Sequence, residues 1–192
     1  ARDRLGGLAD LTLSAMVLMR ALFDIVLVET VGVGQSETDV ADTTDTVLFC
    51  VQPGSGDSVQ FMKAGIVEIP DVIAVTKADI GAAAERARSD VAGALTLAGD
   101  GRDGWQVPVL AVSAQNGSGI DALEAALDAH WRWLGDGGRL ARRRGAQAET
   151  WIRATILDRF GREGLRRLGQ IDYHDMQSPF RSAAELAARL TG

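Results

Sequence analysis

Residues 24–37, DIVLVETVGVGQSE, are the stretch from which the fold is predicted. The run begins with apolar, mostly β-branched residues, which is typical of a strand buried on both faces of a parallel sheet. Glu29 ends this run, and a loop with two glycines, Gly32 and Gly34, follows it. Open α/β sheets bind ligands at the carboxyl ends of their strands, so the predicted strand 25–29 should lead into a ligand-binding loop.

Glu29 and Gly32 have the spacing acid-x-x-Gly. A carboxylate at a strand end can hold a metal ion, and a glycine N–H with no side chain beside it lets a phosphate oxygen approach closely. Phosphate-hydrolysing switch proteins use this arrangement to sense the terminal phosphate through magnesium. Taken alone, the same residues fit an ordinary Gly-rich turn equally well, because such turns are common after strands.

The rest of the chain repeats strand, loop and helix. Further buried strands are predicted at 46–51, 72–75 and 109–112, and helices at 8–21, 58–69, 82–97 and 120–134. This alternation predicts an α/β fold, with a mostly parallel sheet and helices on both faces. We therefore predict a first domain over residues 1–134 and a helical C-terminal extension over residues 135–192, joined by the sequence GDGG.

The extension is predicted to contain a long amphipathic helix over residues 139–168, because apolar residues recur there at helical spacing. This segment carries nine Arg and three acidic residues, a local charge of +6 in a chain whose net charge is −6. A basic helix could bind nucleic acid, an acidic membrane face or an acidic protein. A charged face on a helix that packs on its own domain or on a second subunit is commoner, and we favour it. A short helix is predicted after Ser178 and Pro179.

The composition predicts a globular protein of the cytoplasm. The pI of about 4.9 disfavours a nucleic-acid partner, and 46% of the residues are hydrophobic, enough for a sizeable core. Cys50 is the single cysteine, so no disulfide can form within one chain and a reducing compartment fits. It lies in the apolar run VLFCV and is predicted to be buried. The longest apolar stretch, residues 11–28, is interrupted by Arg20 and Asp24, so no membrane partner is expected.

A second motif, TKAD, follows the predicted strand 72–75. The carboxylate of Asp79 can accept hydrogen bonds from the ring N–H and the exocyclic amino group of guanine, a pair of donors that adenine lacks. Lys77 can lay its methylene stem along the purine face, and Thr76 can brace the loop by hydrogen bonding. A four-residue match is weak by itself, but its place after a strand strengthens it.

The third motif, SAQNGSG, follows the predicted strand 109–112, and its first residues are Ser113, Ala114 and Gln115. Ser113 and Ala114 are small enough for their backbone N–H groups to face the guanine carbonyl and complete a base pocket. Alone, this stretch would be a polar Gly-rich turn. The three motifs together, in this order and each at the carboxyl end of a strand, predict a guanine-nucleotide site.

These motifs resemble the ArgK/MeaB family of P-loop GTPases. The resemblance rests on VETVGVGQSE (residues 28–37), PGSGDSVQFMKAGIVEI (residues 53–69), TKAD and SA, and it covers about residues 5–168. Members of that family are accessory chaperones of cobalamin-dependent methylmalonyl-CoA mutase and its relatives. The resemblance implies a GTP-hydrolysing homodimer that gates cobalamin loading and protects the mutase, with GTP or GDP and Mg²⁺ as cofactors.

The resemblance also implies roles for single residues. Glu29 and Gly32 match the switch II motif, with Glu29 holding Mg²⁺ through water, and Gln35 in the same segment is a candidate for positioning the attacking water. Asp57 and Lys63 match the additional switch that couples nucleotide state to the mutase. Read without the resemblance, Lys63 is an exposed helical lysine and Gln35 an ordinary loop amide. The Arg-rich helix corresponds to the family's C-terminal dimerisation region.

The chain departs from the family in lacking a G-x-x-x-x-G-K-[ST] phosphate-binding loop. Neither Lys63 nor Lys77 has the preceding glycines or the following Ser or Thr. We expect that loop upstream of residue 1. Without it there is no backbone nest for the β-phosphate, so this polypeptide alone should bind GTP weakly and not hydrolyse it. Sub-micromolar binding of a fluorescent GTP analogue, together with its hydrolysis, would contradict this expectation.

For the intact protein, Glu29→Ala should slow GTP hydrolysis and change its dependence on Mg²⁺. The reason is that Glu29 is predicted to hold the ion that neutralises the phosphates. Hydrolysis is measured as phosphate release over a magnesium titration. If the variant and the wild-type protein give the same titration curve, Glu29 is not the acid of this motif.

Other functions are less well supported by the sequence. A related class of GTPases delivers nickel and needs Cys or His ligands, whereas this chain has Cys50 and two distant histidines, His130 and His174. A transport-associated ATPase or kinase is a second alternative, against which the guanine-specific Asp79 argues. The non-enzymatic alternative is a dimerisation and partner-binding module. Comparing nucleotide titrations of the intact protein and of this chain would separate it from a GTPase.

Overall fold

The computed structural model describes residues 12–30, 40–54, 69–98, 104–169 and 178–191. In chain order its elements are α1 (Thr12–Leu22), β1 (Leu48–Val51), β2 (Val72–Val75), α2 (Ala82–Ala98), β3 (Val109–Ala111), α3 (Ile120–Gly135), α4 (Arg139–Leu168) and α5 (Pro179–Thr191). Two short 3₁₀ helices, Ala78–Ile80 and Asp136–Gly138, stand before α2 and α4. The predicted helix 58–69 lies almost wholly outside the described residues, and the start of the predicted helix 8–21 does too.

The three strands form a parallel sheet in the order β1-β2-β3. Leu48 pairs with Val72 in the register between β1 and β2, and Ile73 pairs with Val109 between β2 and β3. All four residues of β2 are buried, as expected of a central strand whose sequence, VIAV, is apolar throughout. The predicted α/β fold with a parallel sheet and C-terminal helices is therefore confirmed.

The main core lies between the sheet and α2. Side chains of β1 and β2 pack there on the apolar face of α2, and the segments that precede these strands contribute as well. The buried members are Ala41, Val47, Val51, Ile69, Ile73, Val75, Ala84, Ala87 and Val91. Small residues on α2, Ala84 and Ala87, let the helix lie close to the strands.

The predicted strand 25–29 is wrong for the described structure. Residues 25–30 have no strand assignment, and Leu27 is 90% exposed. An apolar run becomes a strand only when a neighbouring strand pairs with its backbone, and no described strand pairs with this one. The prediction that Cys50 is buried is wrong, and the predicted burial of β1 holds only in part: Val51 is buried, whereas Leu48 and Cys50 are exposed, because β1 is an edge strand of the described sheet.

Helix α4 has the bounds that the sequence predicts, but it is not one continuous helix. Gly161 has φ 64° and ψ −171°, so the helical backbone is interrupted there. Around this break α4 packs against α5 and forms a second core, in which Trp151 and Phe180 meet edge to face at 5.2 Å. Its buried members are Ile152, Ile156, Leu168, Ala183, Leu186, Ala187 and Leu190. The division into domains at residue 134 stays a prediction.

In the part of the chain that the structure describes, no helix is both long enough and apolar enough to cross a membrane.

Candidate functional site

The loop of the TKAD motif is fixed to both neighbours of β2. The backbone N–H and the hydroxyl of Thr76 donate to the carbonyl of Val51, at 2.8 and 3.2 Å. The N–H of Ala78 donates to the carbonyl of Val112 at 2.9 Å. The brace predicted for Thr76 is therefore present, and the loop begins from a rigid position at the carboxyl edge of the sheet.

Lys77 adopts the left-handed conformation, with φ 55° and ψ 43°. It is the one non-glycine residue with a positive φ among those that the structure describes. L-amino acids with a Cβ disfavour this conformation, and it persists where the surrounding structure imposes it, often at ligand-binding loops. The side chain of Lys77 is exposed. It is thus free to lie along a planar ligand beside Asp79, and the stacking on a purine that the sequence predicts for it stays a prediction.

Ser113 and Asp79 are brought together although 34 residues separate them. The buried hydroxyl of Ser113 donates to Oδ1 of Asp79 at 2.5 Å and accepts the N–H of Gln115 at 3.2 Å. This contact fixes the orientation of the carboxylate, while Asp79 as a whole remains exposed. Each carboxylate oxygen has two lone pairs, so Asp79 can still accept two hydrogen bonds from a ligand.

The prediction that the Ser113 N–H faces a guanine carbonyl is wrong. That N–H donates to the carbonyl of Ser118 at 2.9 Å, because residues 113–118 close into a tight loop. Gly119 ends this loop at φ 75°, and a Cβ there would lie 2.1 Å from the carbonyl oxygen of Ala111, so only glycine fits. Within the described structure the N–H of Ala114 has no partner and stays available.

The other predicted site residues are not joined to this cluster. Glu29 is exposed, and no hydrogen bond or ion pair between described residues links it to Asp79 or Ser113. Gly32 and Gln35 lie outside the described residues. Asp57 and Lys63, which the resemblance assigns to a second switch, lie outside them too.

A magnesium site is not formed by the described residues alone. No three His, Cys, Asp or Glu side chains come together among them. Glu29 is the single carboxylate that the sequence assigns to the ion, and Mg²⁺ held by one protein carboxylate takes its other ligands from substrate phosphates and water. The Mg²⁺ assignment therefore stays a prediction, and we derive no chemical step from it.

A buried polar cluster that the sequence analysis missed lies at the amino edge of the sheet. Arg143 of α4 donates to both oxygens of Asp71, at 3.1 and 2.8 Å, and Asp71 is only 3% exposed. The N–H of Val47 donates to the same carboxylate at 2.8 Å. His130 of α3 is completely buried, with Nδ1 2.9 Å from the Thr46 hydroxyl and Nε2 3.4 Å from Asp71.

This cluster should make folding stability depend on pH in the mildly acidic range. Burial lowers the pKa of His130 and the Arg143 charge adds to this, while Asp71 opposes it. A histidine whose pKa is lower in the folded state takes up its proton more readily in the unfolded chain. The free energy of unfolding should therefore fall as pH drops below about 6.5, the ordinary pKa of a histidine side chain.

The measurement is urea unfolding between pH 7.5 and 5, with His130→Gln as the comparison. The variant lacks the titrating ring, so its stability should depend less steeply on pH over this range. Equal slopes for the two proteins would show that His130 does not titrate differently on folding.

A surface groove of about 340 Å³ lies beside the amino-terminal half of α4. Its lining includes Trp133, Arg139, Arg142 and Gln147, and it contains no residue of the TKAD or SAQNGSG motif. Arg139 stacks on the Trp133 ring at 4.6 Å and donates to two backbone carbonyls. The groove is therefore separate from the candidate base site and gives no support to nucleotide binding.

Comparison with known proteins decides the family. A sequence model of the family described as "Methylmalonyl Co-A mutase-associated GTPase MeaB" matches residues 1–165. The chain belongs to the MeaB family. The resemblance noted from the sequence motifs is thereby confirmed. The TKAD and SAQNGSG loops of this MeaB-family chain both lie inside the matched region.

MeaB-family relatives and one solved structure agree with this result. A protein of Caulobacter vibrioides named "Putative GTPase" is 41% identical over 157 residues, which are 81% of this chain and 48% of that protein. The Mus musculus protein named "Methylmalonic aciduria type A homolog, mitochondrial" is 34% identical over 81% of this chain and 39% of its own length. The chain thus spans about half the length of the curated relatives it matches, or less.

The solved structure described as "Crystal structure of LAO/AO transport system kinase" superposes with a TM-score of 0.64 at 28% identity. The match covers 94% of this MeaB-family chain and 63% of that one. It supports the assignment of a P-loop NTPase fold with C-terminal helices.

Proposed function

We propose that the natural protein containing this chain binds and hydrolyses GTP, and that the chain supplies the part that recognises the base. The observation that carries this proposal is the contact between Ser113 and Asp79 at the carboxyl edge of the sheet. A carboxylate that is held by a buried hydroxyl and is exposed to solvent on its other side suits the two adjacent donors of guanine. Membership of a family described as GTPases supports the same conclusion.

The partner we propose is a cobalamin-dependent acyl-CoA mutase of the methylmalonyl-CoA mutase type. Support comes from the family description, which names a mutase-associated GTPase. In this proposal the protein is a chaperone that gates cobalamin loading and protects the mutase, and it is a homodimer through its C-terminal helices. A second candidate, a transport-associated ATPase or kinase, is favoured by the superposition on a transport system kinase. Asp79 distinguishes the two, because adenine lacks the donors that this carboxylate accepts.

The test uses the full-length natural protein and a fluorescent GDP analogue. Unlabelled GDP and GTP should displace the analogue at low micromolar concentration, whereas ATP should need at least about 100-fold more, since the unpaired carboxylate penalises adenine. With the same preparation, the rate of cobalamin transfer to the purified mutase should differ between samples with and without GTP. Displacement by ATP as effective as by GTP would overturn guanine specificity, and transfer indifferent to GTP would overturn the chaperone role.

A further inference from the structure

Helix α4 is attached to the sheet by three side chains from neighbouring turns, Arg143, Arg144 and Gln147, which we call the docking cluster. Arg143 binds Asp71 through both terminal nitrogens, as described above. Arg144 binds both oxygens of Asp45, at 2.9 and 2.6 Å. Paired hydrogen bonds between a guanidinium and a carboxylate fix orientation as well as distance, so α4 is held in one position on the domain.

Gln147 binds backbone rather than a side chain. Its buried amide donates to the carbonyls of Ala41 and Thr44, at 3.0 and 2.8 Å. The same short turn is closed by the hydroxyls of Thr43 and Thr44, which donate to the carbonyl of Val40. If this turn moved away from α4, two carbonyls and a buried amide would lose their partners, which is unfavourable. The turn before β1 and α4 therefore move together.

The docking cluster and the candidate base site lie at opposite ends of the same two strands. Asp45 stands three residues before β1, and Asp71 stands directly before β2. At the other end, the carbonyl of Val51 in β1 accepts two hydrogen bonds from Thr76, the first residue after β2. Four-residue strands span only about 13 Å. Because β2 is short and buried along its whole length, we expect its two ends to move together.

We propose that the docking cluster couples the attachment of α4 to occupancy of the guanine-nucleotide site. This inference rests on the function proposed above. A nucleotide that binds the TKAD loop adds contacts to the carboxyl ends of β1 and β2, which makes local opening at their amino ends rarer. Arg143, Arg144 and Gln147 then stay bound for a larger fraction of the time. By linkage, undocking α4 lowers nucleotide affinity by the same factor by which nucleotide binding favours docking, so weakening the cluster should lower nucleotide affinity.

The consequence extends along α4 to its packing with α5. The residues that dock on the sheet and those that pack on α5, such as Ile152 and Ile156, stand on one helix before the break at Gly161. A change in the docking of α4 therefore changes where the α4–α5 pair is held. The structure thus offers a route by which occupancy of the nucleotide site reaches the C-terminal helices.

The experiment is hydrogen exchange on the full-length natural protein, with and without GDP. Two variants weaken the cluster. Arg144→Gln removes one cation from Asp45, which keeps its ion pair with Arg20 at 3.7 Å. Gln147→Leu removes the amide that binds the turn before β1. Arg153→Gln is the matched control, because among the described residues Arg153 makes one ion pair, an exposed one with Glu149 on the same helix. GDP should slow amide exchange over residues 139–150 at least about fivefold in the wild-type protein and in the control. Both cluster variants should lose most of this slowing and bind GDP roughly three- to tenfold more weakly.

Each outcome has a defined meaning. If the wild-type protein binds GDP but exchange over residues 139–150 does not change, the coupling is wrong and the proposed function stands. The coupling is also wrong if the cluster variants lose protection in α4 while binding GDP with unchanged affinity. Failure of the wild-type protein to bind GDP at all overturns the proposed function and the coupling together. The comparison within the wild-type protein needs no variant to fold.

Discussion

Asp79→Asn in the full-length protein is expected to weaken GTP binding by about 100- to 1,000-fold, or about 3 to 4 kcal/mol. The substitution replaces one acceptor oxygen by an NH₂ group, which meets a guanine donor and removes a charge-assisted hydrogen bond. The new amide instead complements xanthine, which carries a carbonyl where guanine carries its amino group. Affinity for a xanthine nucleotide should therefore rise. Titration with fluorescent analogues of both nucleotides measures the two affinities.

Two further variants show whether the loss comes from the base contact. Asp90→Asn makes the same chemical change on the exposed surface of α2 and should leave both affinities unchanged. Ser113→Ala removes the hydroxyl that orients Asp79 but leaves the carboxylate, so the loss should be about 1 kcal/mol and xanthine should gain nothing. If Asp79→Asn weakened guanine and xanthine nucleotides equally, Asp79 would be a structural residue of the loop.

Predictions from the sequence are right where one segment contains all the information. The strand Val72–Val75 is a short apolar run between Pro70-Asp71 and Thr76, and its bounds are those predicted. Helix α4 also has its predicted bounds, because glycines with positive φ, Gly138 and Gly169, stand at its two ends. Local composition and terminating residues determine such elements.

The predictions fail where the outcome depends on a partner elsewhere in the chain. Residues 25–29 have the composition of a strand, but pairing decides whether a strand forms. The N–H of Ser113 is predicted to face a ligand, although loop closure onto Ser118 engages it. The sequence does place Asp79 and Ser113 at strand ends on one edge of the sheet, and there the structure brings them together.

The arginines of α4 are a second case in which the sequence does not identify the partner. Nine Arg in residues 139–168 look alike in the sequence. In the fold, Arg143 and Arg144 bind carboxylates of the sheet domain, whereas Arg153 pairs with Glu149 on its own helix. This supports the favoured interpretation, a helix packed on its own domain. The partner of Arg143 is 72 residues away, and only the three-dimensional structure selects it from the acidic residues of the chain.

Arg143→Ala is expected to lower the free energy of unfolding by about 3 to 5 kcal/mol, a large part of the stability of an ordinary domain. Asp71 is buried, and without Arg143 its charge would have no cation bound to it. The N–H of Val47 and the His130 ring would remain near the carboxylate, but neither replaces a guanidinium bound to both oxygens. The melting temperature should fall by on the order of 10 °C. Urea unfolding and thermal unfolding measure the two quantities.

The cost should come from the unpaired charge rather than from lost packing, and a double variant separates the two. Asp71→Asn combined with Arg143→Met removes both charges, keeps an oxygen that can accept the Val47 N–H, and keeps most of the side-chain volume. It should recover much of the stability, because uncharged replacements of a buried ion pair are often nearly neutral. Arg153→Ala should cost no more than about 0.5 kcal/mol, since its ion pair is exposed. If the double variant were as unstable as Arg143→Ala, the packing of α4 on the sheet, and not the burial of the Asp71 charge, would account for the loss.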